Sequence, residues 1–232
     1  MIEPRILYED EDICVIDKPS GMVVNKSNST HEITIQEWFE NKLEYKELNT
    51  EFIQKGGVVH RLDKDASGAL ILAKNDSAYE GLKKQFMNRE TEKIYLVMVH
   101  GQMKEKEGII ATPVERNPNK KMRFFVGTDL SKTGITSWKV LAQNIDYSFL
   151  EVKIMTGRTH QIRVHMKHLG HPVVADPLYG FAKRWQGDLE FCPRLFLHAY
   201  KLSLVHPVNL KWLTFTAELP EELRKTYEKC FR

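Results

Sequence analysis

No stretch of this 232-residue chain approaches the roughly 20 consecutive apolar residues that a membrane-spanning helix needs, so no membrane span is expected. The opening residues, MIEPRILYEDED, lack the basic flank and apolar core of a secretory leader. Cysteine is scarce. Cys14, Cys192 and Cys230 are odd in number, far apart, and form no CxxC pair. That fits thiols packed as small apolar residues in a reducing, cytoplasmic compartment. Repeats, low-complexity tracts and Gly/Ser- or Pro-rich linkers are missing, so one continuous domain over residues 1–232 is expected. Neither GxGxxG nor a Walker lysine loop is present, which leaves dinucleotide and P-loop binding without support. No GxSxG elbow supports a serine hydrolase.

What is present is an ordinary soluble composition, 42% hydrophobic and 28% charged. The net charge of +3 is small, but it is unevenly spread. Residues 1–55 hold six basic and twelve acidic side chains, so the remainder is strongly basic. Between 153 and 184, Lys153, Arg158, Arg163, Lys167, Lys183 and Arg184 face one acid, Asp176. A one-sided basic surface suits a polyanion such as nucleic acid, and a solvated basic face is the alternative.

Alternation predicts two strands around the acidic turn Glu9–Asp12, and Pro19-Ser20-Gly21 marks a second turn. Thr34 and Glu37 form a capping box for a helix with Ile35, Trp38, Phe39 and Leu43 on its apolar face. Ser77 and Glu80 form another, opening a helix with Tyr79, Leu82 and Phe86 on one face. A hairpin is expected from 135–142 and 147–154, and late strands from 195–205 and 210–217. Pro220 begins a final helix. Strands and helices without a strict βαβ rhythm indicate an α+β fold with a mostly antiparallel or mixed sheet.

Three segments carry chemistry. In the first, strand-like runs at 57–59 and 69–73 flank a loop with His60, Arg61, Asp63, Lys64 and Asp65. Alternation puts Arg61 and Asp63 on one side of it. A rigid sheet can present reactive groups on such a loop, and a surface hairpin with incidental charges is the plainer alternative. The second is the strand 93–99, buried on both faces, with Lys93 and Tyr95 at its start. Read alone, these two are either the lining of a cleft or a core tyrosine beside a lysine that buries its stem. In the third, Thr159 is expected to cap a helix running to Leu169 and ending at Gly170. Ile162, Met166 and Leu169 form its apolar stripe, and His160, Arg163 and Lys167 a cationic one. Arg158 stands at its N-terminus, where an anion is favoured, so the segment reads as a phosphate site plus one inward arginine. The four histidines of this region, His160, His165, His168 and His171, lack metal-ligand spacing, so no metal is expected.

Together these segments resemble the RluA-type family of RNA pseudouridine synthases. The resemblance covers nearly the whole chain and rests on ordered blocks: DKPSG at 17–21, HRLDKDASG at 60–68, Lys93-Ile-Tyr95, GRTHQIRVH at 157–165, GHP at 170–172, DPLYG at 176–180, and Leu197-His-Ala199 with His206-Pro207. It implies a pseudouridine synthase fold: a long, mixed, mostly antiparallel sheet with flanking helices and loops, split by a central RNA cleft. It implies isomerisation of uridine to pseudouridine in a structured RNA, a tRNA or ribosomal RNA stem-loop. The family's catalytic aspartate falls on Asp63, its tyrosine on Tyr95, and the arginine that pairs with the aspartate on Arg163. Arg61 falls on the arginine that contacts RNA beside the flipped nucleotide. Lys93, Arg158, His160 and Lys167 are further expected RNA contacts. No cofactor is expected, because the N1–C1′ bond breaks and a C5–C1′ bond forms with no net loss of electrons or groups. A monomer is expected. Val24-Asn-Lys-Ser27 stands where many relatives have His-Pro, which bears on substrate preference. No small N-terminal S4-like RNA-binding domain is expected, so RNA recognition falls to the catalytic domain. Two other interpretations compete. One is a non-catalytic RNA-binding or RNA-folding protein on the same fold. The other, a glycoside hydrolase using Asp63 and Asp65, is poor because two carboxylates so close along the chain do not flank a sugar bond.

Overall fold

The computed structural model describes residues 3–27, 32–43, 50–120 and 122–231. In chain order its first elements are β1 (Arg5–Glu9), β2 (Ile13–Lys18), α1 (Ile35–Glu40), α2 (Glu51–Lys55), β3 (Ser67–Ala73), α3 (Asp76–Asn88), β4 (Glu92–His100) and β5 (Glu107–Arg116). They are followed by β6 (Phe124–Val126), β7 (Thr133–Gln143), β8 (Tyr147–Ile154), α4 (Gln161–His168), α5 (Trp185–Leu189), β9 (Leu197–Val205), β10 (Trp212–Thr216) and α6 (Glu221–Phe231). The chain forms two compact units, residues 1–92 with 199–218 and residues 93–198 with 219–232. No helix among the described residues is long and apolar enough to cross a membrane.

In the first unit, strands follow the order β1-β2-β3-β9-β10. The acidic turn forms as expected, because the Asp10 carboxylate accepts the amides of Asp12 and Ile13 and closes β1 onto β2. Alternate residues of the strands, Ile13, Val15, Ala69, Ile71, Leu202 and Leu204, bury one face against Phe52 of α2 and Tyr79 and Leu82 of α3. Each large apolar side chain buried there is worth about 2 kcal/mol. The expected strand at 57–59 is only a single bridge, Val58 to Leu72. The helix α2 just before it was not foreseen; Thr50 caps its start and Gly56 ends it in the left-handed region. The Thr34–Glu37 capping box opens α1 as expected. At α3, however, the cap is Asn75, not Ser77: its side chain accepts the Ala78 amide and also donates to Asp12. That second bond ties the helix start to the β1–β2 turn and draws it two residues upstream.

In the second unit the order is β4-β8-β7-β5-β6, with antiparallel pairing throughout. The expected β7–β8 hairpin forms around Asn144, and β5 and β6 were not foreseen. The helix α4 packs over β5, β6 and β7. It starts at Gln161, with His160 in the left-handed region at φ 56° and no side-chain cap from Thr159. Gln161 explains the difference: its Oε1 accepts the Arg158 amide and the Thr156 hydroxyl, occupying the helix entrance. The end is as expected. Gly170, at φ 85°, follows the Leu169 cap, and its amide and that of His171 return to Lys167 and Met166. In α6, Tyr227 and Phe231 pack on Phe149 of β8. The whole is an α+β fold built mostly on antiparallel pairing, as the sequence indicates.

Candidate active site

Asp63 is half-buried in the loop that precedes β3, and Arg61 beside it is exposed. The loop is held from behind by the 17–21 turn. Lys18 is completely buried, and its ammonium donates to the carbonyls of Pro19, Met22 and Lys64. The Gly21 amide reaches the same Lys64 carbonyl, and the Ser20 hydroxyl reaches that of Asp65. Both residues after Asp63 are therefore anchored through their backbones. Past the loop, a Cβ on Gly68 would lie 2.2 Å from the Ala199 carbonyl, and its φ is 117°. Only glycine lets β3 approach β9 that closely. His60 accepts the Ile71 amide and stacks on Phe86 with ring centroids 4.4 Å apart, so its role in the first unit is to fix the loop's entry.

In the second unit Lys93 and Tyr95 share one face of β4, both buried, with Tyr95 opposite Val152. Arg163 is 1% exposed. Its Nε and Nη2 donate to the two oxygens of Asp176, at 2.8 and 2.7 Å. Of the three residues of the cationic stripe on α4, Arg163 turns inward, Lys167 is exposed, and His160 is half-buried. The physical reason is Asp176, whose buried carboxylate needs a partner. Before it, Ala175 is held in the left-handed region at φ 54°, its amide on Asp188, which also binds His100. A strained non-glycine residue next to a buried ion pair is a common mark of a functional site.

The exposed surface of this unit is basic. Arg158 is exposed and donates to the Ser131 carbonyl. A groove of about 470 Å³ is lined by Lys120, Arg123, Phe124, Lys167, His168 and Tyr179. His160 and the Phe124 amide both meet the Tyr179 hydroxyl at 2.8 Å. The groove and the roles of Lys18, Asp176 and Tyr179 escaped the sequence analysis. The basic run around Lys120 and Arg123 was the available signal for the groove.

The family described as RNA pseudouridylate synthase matches residues 12–168, most of the chain and parts of both units. The chain is a member of the RluA-type RNA pseudouridine synthase family. It is 40% identical to an uncharacterized RNA pseudouridine synthase of Aquifex aeolicus (strain VF5), over 96% of this chain and 72% of that protein. It is 37% identical to the ribosomal large subunit pseudouridine synthase D of Buchnera aphidicola subsp. Acyrthosiphon pisum (strain APS), over 95% and 71%. Among solved structures, human RNA pseudouridylate synthase domain containing 1 is similar with a TM-score of 0.72 and 26% identity, covering 94% of this chain and 84% of that one.

As a pseudouridine synthase the protein is an isomerase, and its DKPSG and HRLDKDASG blocks meet in one hydrogen-bonded loop system. The His206-Pro207 block has a structural use. His206 accepts the amides of Val208 and Asn209 on Nδ1, so Nε2 carries the proton and donates to Asp10 at 3.0 Å. Asp10, Asp12 and His206 are the one metal-ligand-type cluster among the described residues. Their atoms are already engaged: Asp10 also accepts the Tyr8 hydroxyl, and Asp12 accepts Asn75. Burial works against the Asp10 charge, but the Ile13 amide, the Tyr8 hydroxyl, the Asp12 amide and His206 outweigh it and hold Asp10 below the usual carboxylate range. A cation there would have to break these bonds.

Proposed function

We propose that the protein converts uridine to pseudouridine within large-subunit ribosomal RNA, with both units acting as one catalytic domain. Asp63 is the reacting carboxylate, Tyr95 stacks on the uracil, and Arg163 is the cationic counterpart of the carboxylate. Arg61, Lys93, Arg158, His160 and Lys167 contact the RNA, and the groove beside Lys120 and Arg123 extends that surface. The observation that carries the proposal is the position of Asp63 within the HRLDKDASG block, on a loop whose backbone is gripped by buried Lys18. A carboxylate held rigidly and left half-exposed is suited to attack as a nucleophile or to stabilise the sugar as the N1–C1′ bond breaks. The target uridine must leave its stack, at a cost of a few kcal/mol, and phosphate contacts from the basic unit offset it. The preference for ribosomal RNA over tRNA is supported by the 37% identical Buchnera relative, whose name states a large-subunit target.

The test is tritium release from a large-subunit ribosomal RNA transcript labelled at uracil C5, run beside RNA binding. Asp63→Asn keeps the shape and removes the charge. It is expected to bind RNA and melt near wild type while release becomes undetectable, and Asp65→Asn is expected to retain most activity. Substantial release by Asp63→Asn refutes the assignment; release from a tRNA transcript alone refutes the choice of RNA.

A further inference from the structure

We propose that the turn from Asp176 to Tyr179 is the positioning element of the site: Asp176 orients Arg163, and Tyr179 fixes the β6 edge of the basic groove. The inference rests on the proposed catalytic use of Arg163. Every contact behind it lies within the second unit.

Asp176 grips the guanidinium side-on, through Nε and Nη2. That geometry fixes the plane of the group and turns its Nη1 edge away from Asp176. The same Asp176 Oδ1 accepts the amides of Leu178 and Tyr179 at 2.8 and 2.9 Å, so one carboxylate holds the arginine and closes the turn. The turn is tight: a Cβ on Gly180 would lie 2.5 Å from the Asp176 carbonyl. It delivers the Tyr179 ring to 5.1 Å from the Arg163 guanidinium. The Tyr179 hydroxyl continues to the Phe124 amide of β6 and to His160. On the other side, Ala175 is locked by Asp188. A buried ion pair rarely repays its desolvation, and apolar residues of the same volume would serve stability as well. The Arg163–Asp176 pair therefore serves the direction in which a charge points rather than stability.

The experiment compares Asp176→Asn and Tyr179→Phe with wild type, using the C5-tritiated large-subunit transcript for turnover and binding, and hydrogen exchange of the Phe124 amide. Asparagine keeps an oxygen for the turn amides but sets an NH₂ against the Arg163 Nε–H. We expect kcat to fall about 100-fold, the cost of a misplaced group, with RNA affinity nearly retained. Phenylalanine keeps the ring on Arg163 and removes the hydroxyl. Phe124 exchange should then accelerate and RNA affinity weaken roughly tenfold, as for a lost hydrogen bond, with kcat falling less than in Asp176→Asn. The inference is overturned if Asp176→Asn keeps wild-type kcat, or if both variants lose melting temperature, affinity and kcat in parallel. Unchanged Phe124 exchange in Tyr179→Phe also overturns it. A wild-type protein silent on the transcript refutes the underlying function and the kinetic role of Asp176 with it; Phe124 exchange still decides the role of Tyr179.

Discussion

Acid should loosen the seat of α4 before it affects ordinary carboxylates, because of His165. This residue lies on the helix that carries Arg163, is wholly buried, and meets Thr136 through Nδ1 at 2.9 Å. Burial pulls its pKa down from the ordinary 6.5 to about 4, against the opposing effect of the Thr112 carbonyl. Above pH 6.5 folded and unfolded chains both carry neutral imidazole, and the stability is fully present. Below it the unfolded chain binds a proton that the folded chain refuses. Stability then falls until the pH passes about 4. Linkage at 1.36 kcal/mol per unit puts the loss from this group at about 2 kcal/mol at pH 5, and about 3 kcal/mol at pH 4. The measurement is urea unfolding followed by tryptophan fluorescence from pH 8 to pH 5, on wild type and His165→Asn. Asparagine offers Thr136 a polar partner but does not titrate. The variant starts less stable, yet its stability should decline by about 2 kcal/mol less over that range. The other histidines are common to both proteins and cancel. Parallel pH profiles would refute the reasoning.

Three further outcomes follow from the same contacts. Lys18→Met should cost about 3 kcal/mol, because three carbonyls lose a charged donor, and should lower kcat by releasing the Asp63 loop; a variant melting at the wild-type temperature contradicts the bracing role. Arg158→Ala, exposed on the basic unit, should weaken binding to all RNAs and flatten the slope of log affinity against log salt by about one; filter binding at several salt concentrations tests it, and an unchanged slope counts against that surface. Exhaustive chelation should leave tritium release from a pre-folded, metal-independent transcript unchanged, since Asp10, Asp12 and His206 are already hydrogen-bonded to one another and to their neighbours; loss restored by zinc alone would reverse the conclusion.

Much of the architecture was legible because its causes are local. The β1–β2 turn, the Thr34 cap, the β7–β8 hairpin and the Gly170 stop each depend on residues a few positions apart, and periods of two and 3.6 are visible in a line of text. The blocks around Asp63, Tyr95 and Arg163 were legible in the same way, as ordered strings. Local signals misled where a distant partner outweighed them. Asn75 displaced Ser77 as a cap through its bond to Asp12, 63 positions away. At α4 the competitor was itself local: Gln161, two residues on, displaced Thr159 by filling the helix entrance.

The sequence by itself determined the family, the reaction class and the identity of the residues proposed to carry it. Only the tertiary structure decided what holds those residues in place. Lys18 reaches a carbonyl 46 positions away. Arg163, read as an inward arginine, finds its partner in Asp176, 13 positions away, which nothing in the sequence pattern named. Charge and helical spacing are properties of the chain, but the partner of a buried charge is set by desolvation, which depends on every atom packed around it.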